Sequence, residues 1–332
     1  MSGGVPRIAA VGAGRMGRGI AIAFAYAGYA VDLIDLQPRD DAHWSEWLAG
    51  AQADVALSLT TLADLQALTA ADVQPIATRV HWVRDDQADA AIGRADVIFE
   101  GVPETLDAKR SALGRIGRNA RADAVVASTT STILVTDLVA MMDRAQRLLN
   151  AHWLNPAYLI PLVELSPHAG TDPEVLRRLV DLLEGIGKIT VRCAAAPGYI
   201  VPRLQALIMN EAARMIEEGV ASAGDIDKAT RYGLGLRFAA MGVVEFIDFG
   251  GVDILHRASG YLAGHLSAPR YTAPPIVARL MAQGHIGVKS GQGFYDHRDR
   301  DPQVERRDVL QRLLAMLRHV GAYRPPGDKA VS

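Results

Sequence analysis

At 332 residues the chain is long enough for about two domains of ~150 residues each, and 22% charged with 49% hydrophobic residues exclude an intrinsically disordered class. A formal net charge of −2 with both signs interspersed excludes the broad basic face that nucleic acid or an anionic membrane needs, so small molecules and self-association are the expected partners. The single cysteine, Cys193, excludes an intrachain disulfide and a zinc set; "MSGGVPRIAAVG" lacks a signal peptide's basic region and cleavage site, which points to a reducing cytoplasm with no metal cofactor.

"PRIAAV" at 6–11 reads as a strand, "GAGRMG" as a glycine turn and 16–27 as an apolar-periodic helix that Gly28 stops. "YAVDLID" at 29–35 is the second strand, ending on Asp35. Residues 42–71, Ala/Leu-rich at helical spacing, predict a helical pair. Further strands are expected at 79–83, 96–100, 124–128, 148–152, 161–166 and 188–192. Strands alternating with helices predict a doubly wound, mostly parallel α/β sheet, Rossmann-type, with a helical-hairpin insertion. Strand signals fade after "CAAAPGYIVPRL". We therefore expect a dinucleotide-binding domain over 1–194 and an all-helical domain over 195–332, for substrate and dimerisation. In the second domain Pro202 suits the first turn of a helix to about 218, and Ser222 or Asp225 caps one that stops at Gly233. The tail "RPPGDKAVS" reads as unpacked.

Gly12, Gly14 and Gly17 fit G-x-G-x-x-G after a strand and at the opening of a helix. Gly12 permits the tight turn, Gly14 lets backbone approach a pyrophosphate, and Gly17 lets helix and strand pack closely. With Met16 in the same turn, these are the expected cofactor contacts, the phosphates meeting the helix N-terminus. Asp35, 21 positions past Gly14, would accept from the ribose hydroxyls and repel a 2′-phosphate, favouring NAD over NADP, with Arg39 weakening that preference. A cofactor that takes a hydride needs a proton acceptor, and imidazole titrates nearest neutrality. His152 lies at a predicted strand end, and "NPAYLIP" can fold the next segment back to bring Glu164 beside it. From these residues alone the pair is either a satisfied polar contact or a proton-handling centre.

The chain resembles the L-3-hydroxyacyl-CoA dehydrogenase family over nearly its whole length. The resemblance is carried by "VGAGRMGRGIA", "FEGVPETLDAKR" at 99–110, "ASTTSTILVTDL" at 127–138, "HWLNP" at 152–156 with the following "LVEL", "PGYIVPRL" at 197–204, "MGVVEFIDFGGVDI" at 241–254 and "KSGQGFYDH" at 289–297. It implies an NAD-dependent oxidoreductase of fatty-acid metabolism, 3-hydroxybutyryl-CoA dehydrogenase-like; separately, "GVVEFIDFGGVDIL" is more apolar than a monomer surface needs, which predicts a homodimer through the helical domain or burial within one subunit. His152 would be its general base and Glu164 the partner of that base. Ser131 would bond the substrate oxygen, and Asn155, Glu104, Lys109 and Lys289 would face the cofactor. Apart from the resemblance, Ser131 could cap the next helix, and Lys109 and Lys289 could be solvated charges. Asp248 and Glu245 read as packing and interface groups.

Two features depart from the family. Pro202 stands where the family has an asparagine near the substrate carbonyl, and no lysine or arginine occurs between Arg39 and Arg79, where the family's hairpin supplies lysines to coenzyme A. The leading expectation is oxidation of a short L-3-hydroxyacyl-CoA. The alternatives are a dehydrogenase of a free 3-hydroxy carboxylate, as in the carnitine and gulonate relatives, and a non-catalytic NAD-binding protein like lambda-crystallin. The β-hydroxyacid enzymes with a catalytic lysine are disfavoured because "YIVPRLQALIMNEAARM" has none.

Overall fold

The structure is a computed structural model that describes residues 5–326; most of the tail expected to be unpacked, residues 327–332, lies outside them. The chain divides into two compact units, up to Met209 and from Asn210 onward.

In the first unit the strands are β1 (Ile8–Val11), β2 (Val31–Ile34), β3 (Val80–Val83), β4 (Val97–Glu100), β5 (Val125–Ser128), β6 (Leu148–Trp153), β7 (Leu162–Pro167) and β8 (Ile189–Arg192). They form one sheet in the order β3-β2-β1-β4-β5-β6-β7-β8. Every adjacent pair is parallel except β6 and β7. The helices are α1 (Arg15–Tyr26), α2 (Asp41–Asp64), α3 (Ala70–Ala77), α4 (Ala88–Arg94), α5 (Leu106–Asn119), α6 (Val135–Leu138) and α7 (Pro173–Gly185), with α8 (Val201–Glu217) running across the division.

Local chemistry starts these helices. The Asp40 carboxylate accepts from His43 N at 2.9 Å to open α2, Thr69 and Asp72 form a capping box on α3, and Asp172 precedes Pro173 at the head of α7. β1, β2, β4 and β5 are buried along their whole length because helices cover both faces of the sheet. Ala10, Leu33 and Phe99 point into the core on the α1 side, and Ala9, Ile34 and Ile98 into the core on the α5 side. Burying a side chain such as Phe99, 1% exposed, contributes about 1.5–3 kcal/mol. The parallel strands end along one edge, and the strand order reverses between β1 and β4. Open α/β sheets bind ligands at that switch point.

The second unit is helical: α9 (Ala223–Ala229), α10 (Leu236–Ala240), α11 (Val243–Gly250), α12 (Val252–His265), α13 (Ala268–Tyr271), α14 (Pro275–Ala282) and α15 (Pro302–His319). Ser222 caps α9, but the helix does not stop at Gly233; it continues as a π turn over Thr230–Gly235 into α10. Asp248 is a packing group within its own unit. Fully buried, it accepts from Phe294 N at 2.9 Å and Tyr295 N at 2.8 Å and lies 3.1 Å from His297 Nε2, anchoring the segment "GQGFYDH" from within. Glu245 accepts from Gly242 N at 2.7 Å at the head of α11. Among the described residues no helix is long and apolar enough to cross a membrane.

Candidate active site

The glycine turn joins β1 to α1. Gly12 has φ +103°, and a Cβ there would lie 2.6 Å from Gly101 O. A Cβ on Gly17 would lie 2.0 Å from Gly12 O, so only glycine lets α1 start this close to the turn. Nothing stands within 4 Å of where a Cβ on Gly14 would project, and no side chain caps α1. Open backbone at Gly14 and unclaimed first-turn N–H groups fit a dinucleotide's pyrophosphate. Gly17→Ala is expected to weaken NADH binding about tenfold or more, because the overpacking of about 1–3 kcal/mol falls on the turn itself. A fluorescence titration reads this, and unchanged affinity would contradict the assignment.

Asp35 follows β2 and is 6% exposed. Its carboxylate accepts from Gln37 N at 3.3 Å and from Arg39 Nε at 2.9 Å, and the Arg39 guanidinium lies over the Trp47 ring at 5.1 Å. Arg39 thus engages the ribose-binding candidate directly, which the sequence pattern had only hinted at.

β5 and β6 run parallel, with Ser128 opposite Asn150, so the loop after β5 and the end of β6 leave the sheet at the same edge. β7 then returns antiparallel and sets Glu164 directly opposite His152. Twelve residues apart in sequence, the two close to 2.8 Å between His152 Nδ1 and Glu164 Oε2, with His152 4% and Glu164 0% exposed. The other oxygen, Oε1, accepts from Ile200 N and Val201 N, each at 2.8 Å, where α8 begins. Burial alone would raise the Glu164 pKa; the hydrogen bonds from His152, Val201 and Ile200 outweigh it and hold the carboxyl below its ordinary 4.5. An ionised Glu164 accepts only, so Nδ1 donates and Nε2 is the nitrogen free to take a proton. Pro202 occupies the first turn of α8, where its missing N–H leaves no intrahelical bond unmade.

The structure also places the other candidates. Ser131 is exposed; its amide donates to Glu104 Oε1 at 2.7 Å, and its hydroxyl has no partner among the described residues. The local capping role belongs to Thr130, whose Oγ1 accepts from Thr132 N and Ile133 N and donates to Glu104 Oε2. Glu104 thereby ties the loop after β4 to the loop after β5. Lys109 is no surface charge: 1% exposed, its ammonium donates to Glu100 at 2.9 and 3.2 Å. Glu100 also accepts from Val102 N and Ser128 Oγ, forming a buried ion pair at the C-terminal ends of β4 and β5. Its charge is neutralised from within, so the pair props up the loop after β4 instead of presenting a cation. Met16 is half-buried against the core, and Asn155 is exposed just past β6. Lys289 lies in the second unit and donates to Asp253 Oδ1 at 2.8 Å, a partly solvated ion pair.

Sequence reasoning missed Glu100, Asn150 and Tyr199. Glu100 could have been suspected from its place at a strand end. Tyr199 gave no signal beyond following a Pro-Gly pair, yet its ring stacks on the His152 imidazole at 4.8 Å between centroids and 8° between planes.

Comparisons with known proteins cover both parts of the chain. Residues 7–196 match the 3-hydroxyacyl-CoA dehydrogenase NAD binding domain, and residues 198–297 match the 3-hydroxyacyl-CoA dehydrogenase C-terminal domain. A probable 3-hydroxyacyl-CoA dehydrogenase of Caenorhabditis elegans is 31% identical over 89% of this chain and 96% of its own length. The 5-formyl-3-hydroxy-2-methylpyridine 4-carboxylate 5-dehydrogenase of Mesorhizobium japonicum is 29% identical over 95% of this chain and 98% of its own. Among solved structures, the 3-hydroxyacyl-CoA dehydrogenase of Archaeoglobus fulgidus superposes with a TM-score of 0.74 at 28% identity, covering 96% of this chain and all of that one. A glycine turn built for a dinucleotide and family models matching 7–196 and 198–297 lead to one conclusion: the chain belongs to the 3-hydroxyacyl-CoA dehydrogenase family, NAD-dependent oxidoreductases acting on a CH–OH group.

Proposed function

We propose that the protein oxidises the secondary hydroxyl of a small 3-hydroxy carboxylate with NAD, His152 acting as the general base. NAD, held at Gly12, Gly14, Met16, Gly17 and Asp35, supplies the hydride acceptor. The chain's own part is proton handling. His152 Nε2 takes the hydroxyl proton while Glu164, already ionised, holds Nδ1–H and stabilises the imidazolium that forms. Ser131, with a free hydroxyl at the same edge, donates to the substrate oxygen and polarises it. Asn155 and Glu104 line the nicotinamide side. Pro202 offers no donor, so polarisation rests on Ser131 and His152; an oriented donor of this kind contributes about 2.7–4 kcal/mol.

The observation that favours a free acid over a CoA thioester is the charge of the hairpin α2–α3. Residues 40–78 carry Asp40, Asp41, Glu46, Asp54, Asp64 and Asp72 with no lysine or arginine. Of the neighbouring arginines, Arg18 pairs with Asp54 at 2.8 Å, Arg39 with Asp35 at 2.9 Å and Arg84 with Asp41 at 2.6 Å, while Arg79 donates to a backbone carbonyl, Ala25 O, at 3.2 Å. Phosphates of coenzyme A call for unspent Arg or Lys partners, and this surface repels them. The Mesorhizobium relative, whose name gives a free carboxylate substrate, aligns over almost the entire chain. The thioester reading keeps support from the names of the other relatives.

NADH oxidation with acetoacetate and with acetoacetyl-CoA separates the two. The free keto acid is expected to give the higher kcat/KM, and a higher value with the thioester would overturn the choice. We further propose a cytoplasmic homodimer.

A further inference from the structure

We propose that Tyr199 is a positioning residue that fixes the plane of the His152 imidazole and ties it to the loop carrying Ser131. This rests on the His152 reading above. The χ2 torsion of histidine is broad, and the bond from Nδ1 to Glu164 tolerates a range of ring tilts. A flat aromatic face 4.8 Å away and 8° from parallel removes that range on one side.

The Tyr199 ring is itself anchored. Its hydroxyl donates to Thr130 O at 2.8 Å and accepts from Asn150 Nδ2 at 2.9 Å, and the residue is 8% exposed. Thr130 immediately precedes Ser131, and Asn150 lies on β6 two residues before His152. One phenol therefore links the base to the loop of the hydroxyl donor. The backbone is arranged to the same end. Gly198 has φ +80° and Tyr199 φ +45°, a left-handed conformation that an aromatic residue adopts only when its surroundings impose it. This turn lays the ring on His152 while aiming the next two amides, Ile200 N and Val201 N, at Glu164 Oε1. Three consecutive residues thus hold both members of the pair. Burial raises the phenol pKa far above its ordinary 10, so the hydroxyl stays a donor at working pH and is no proton acceptor for the reaction.

The test uses the full chain with NAD and compares Tyr199→Leu, which removes the flat face, with Tyr199→Phe, which keeps it and cuts the tether. Tyr199→Leu is expected to lose about 10²-fold in kcat, the scale of a 1 Å misplacement. KM and NADH affinity should stay at wild-type values. Tyr199→Phe is expected to lose about fivefold, the two neutral hydrogen bonds of its hydroxyl taken at the low end of their usual strength. Wild-type kcat in the leucine variant overturns the proposal, as does a loss of NADH affinity matching the loss of kcat. Should the leucine variant not fold, the phenylalanine variant decides: a fivefold kcat loss at constant KM supports the tether, and wild-type kcat overturns it. A parallel His152→Gln measurement separates the two readings. If that variant is inactive while Tyr199→Leu is normal, only the positioning role fails; if it keeps full kcat, the base assignment fails, and the positioning role with it.

Discussion

His152→Gln is expected to lower kcat by about 10²–10⁴-fold, the usual contribution of a positioned base. Glutamine fills similar space and can still hydrogen-bond Glu164 Oε2, so the β6–β7 pairing is retained. It cannot take a proton at neutral pH. NADH affinity should be unchanged because the glycine turn stands on β1 and α1, with β4 and β5 between β1 and β6 in the sheet order. Steady-state kinetics with a fluorescence titration reads both quantities, and a variant that kept wild-type kcat would sink the general-base assignment.

Glu164→Gln is expected to cost at least as much, about 10⁴-fold in kcat, for a reason visible in the hydrogen bonds. Two backbone amides, Ile200 N and Val201 N, require an acceptor at the position of Oε1. The glutamine carbonyl must sit there, which turns its NH₂ toward His152 Nδ1. Nδ1 then has to accept, the ring proton moves to Nε2, and the nitrogen that should take the substrate proton is already protonated. A carboxylate-to-amide change that forces the wrong imidazole tautomer costs about 10⁴-fold. The same variant carries a pH signature. The Glu164 pKa is held below 4.5 in the folded protein, so ionised Glu164 contributes stability above pH 4.5, and that contribution is lost as the pH falls through its lowered value. Chemical denaturation of the two proteins should show a stability gap at pH 7 that narrows below pH 4.5; a gap independent of pH would contradict the assigned charge state.

Much of the unit up to Met209 was legible because its signals are local. β1, β2, β4 and β5 are short, mostly apolar buried runs bounded by turn residues, and G-x-G-x-x-G announces both a conformation and a ligand. The His152–Glu164 contact was legible as a possibility only. Two residues twelve apart meet when the intervening turn makes an antiparallel return in the right register, and register is set by pairing across the sheet. The fates of Lys109 and Tyr199 were illegible for the same reason. A lysine at helical spacing after a strand looks solvated until Glu100 is seen beneath it, and an aromatic after Pro-Gly looks like core until His152 is seen against its face. The π turn at Thr230–Gly235 was missed because Gly233 carries a strong helix-stop propensity that packing of the continuing α10 overrides. The expected domain boundary at 194/195 and the division of contacts at 209/210 differ by the turn and half-helix that grip the His152–Glu164 pair.

In the proposed reaction a hydride leaves a hydroxyl-bearing carbon for NAD while His152 takes the proton. Deuterium tracing follows the hydride. The 3-hydroxybutyryl group, deuterated at C3, is offered to the enzyme as the free acid and as the CoA thioester, and the NADH formed is weighed by mass spectrometry. The wild type is expected to deliver deuterium to the nicotinamide, and His152→Gln to deliver almost none in the same time. NADH without deuterium, or equal transfer by both proteins, would contradict the account.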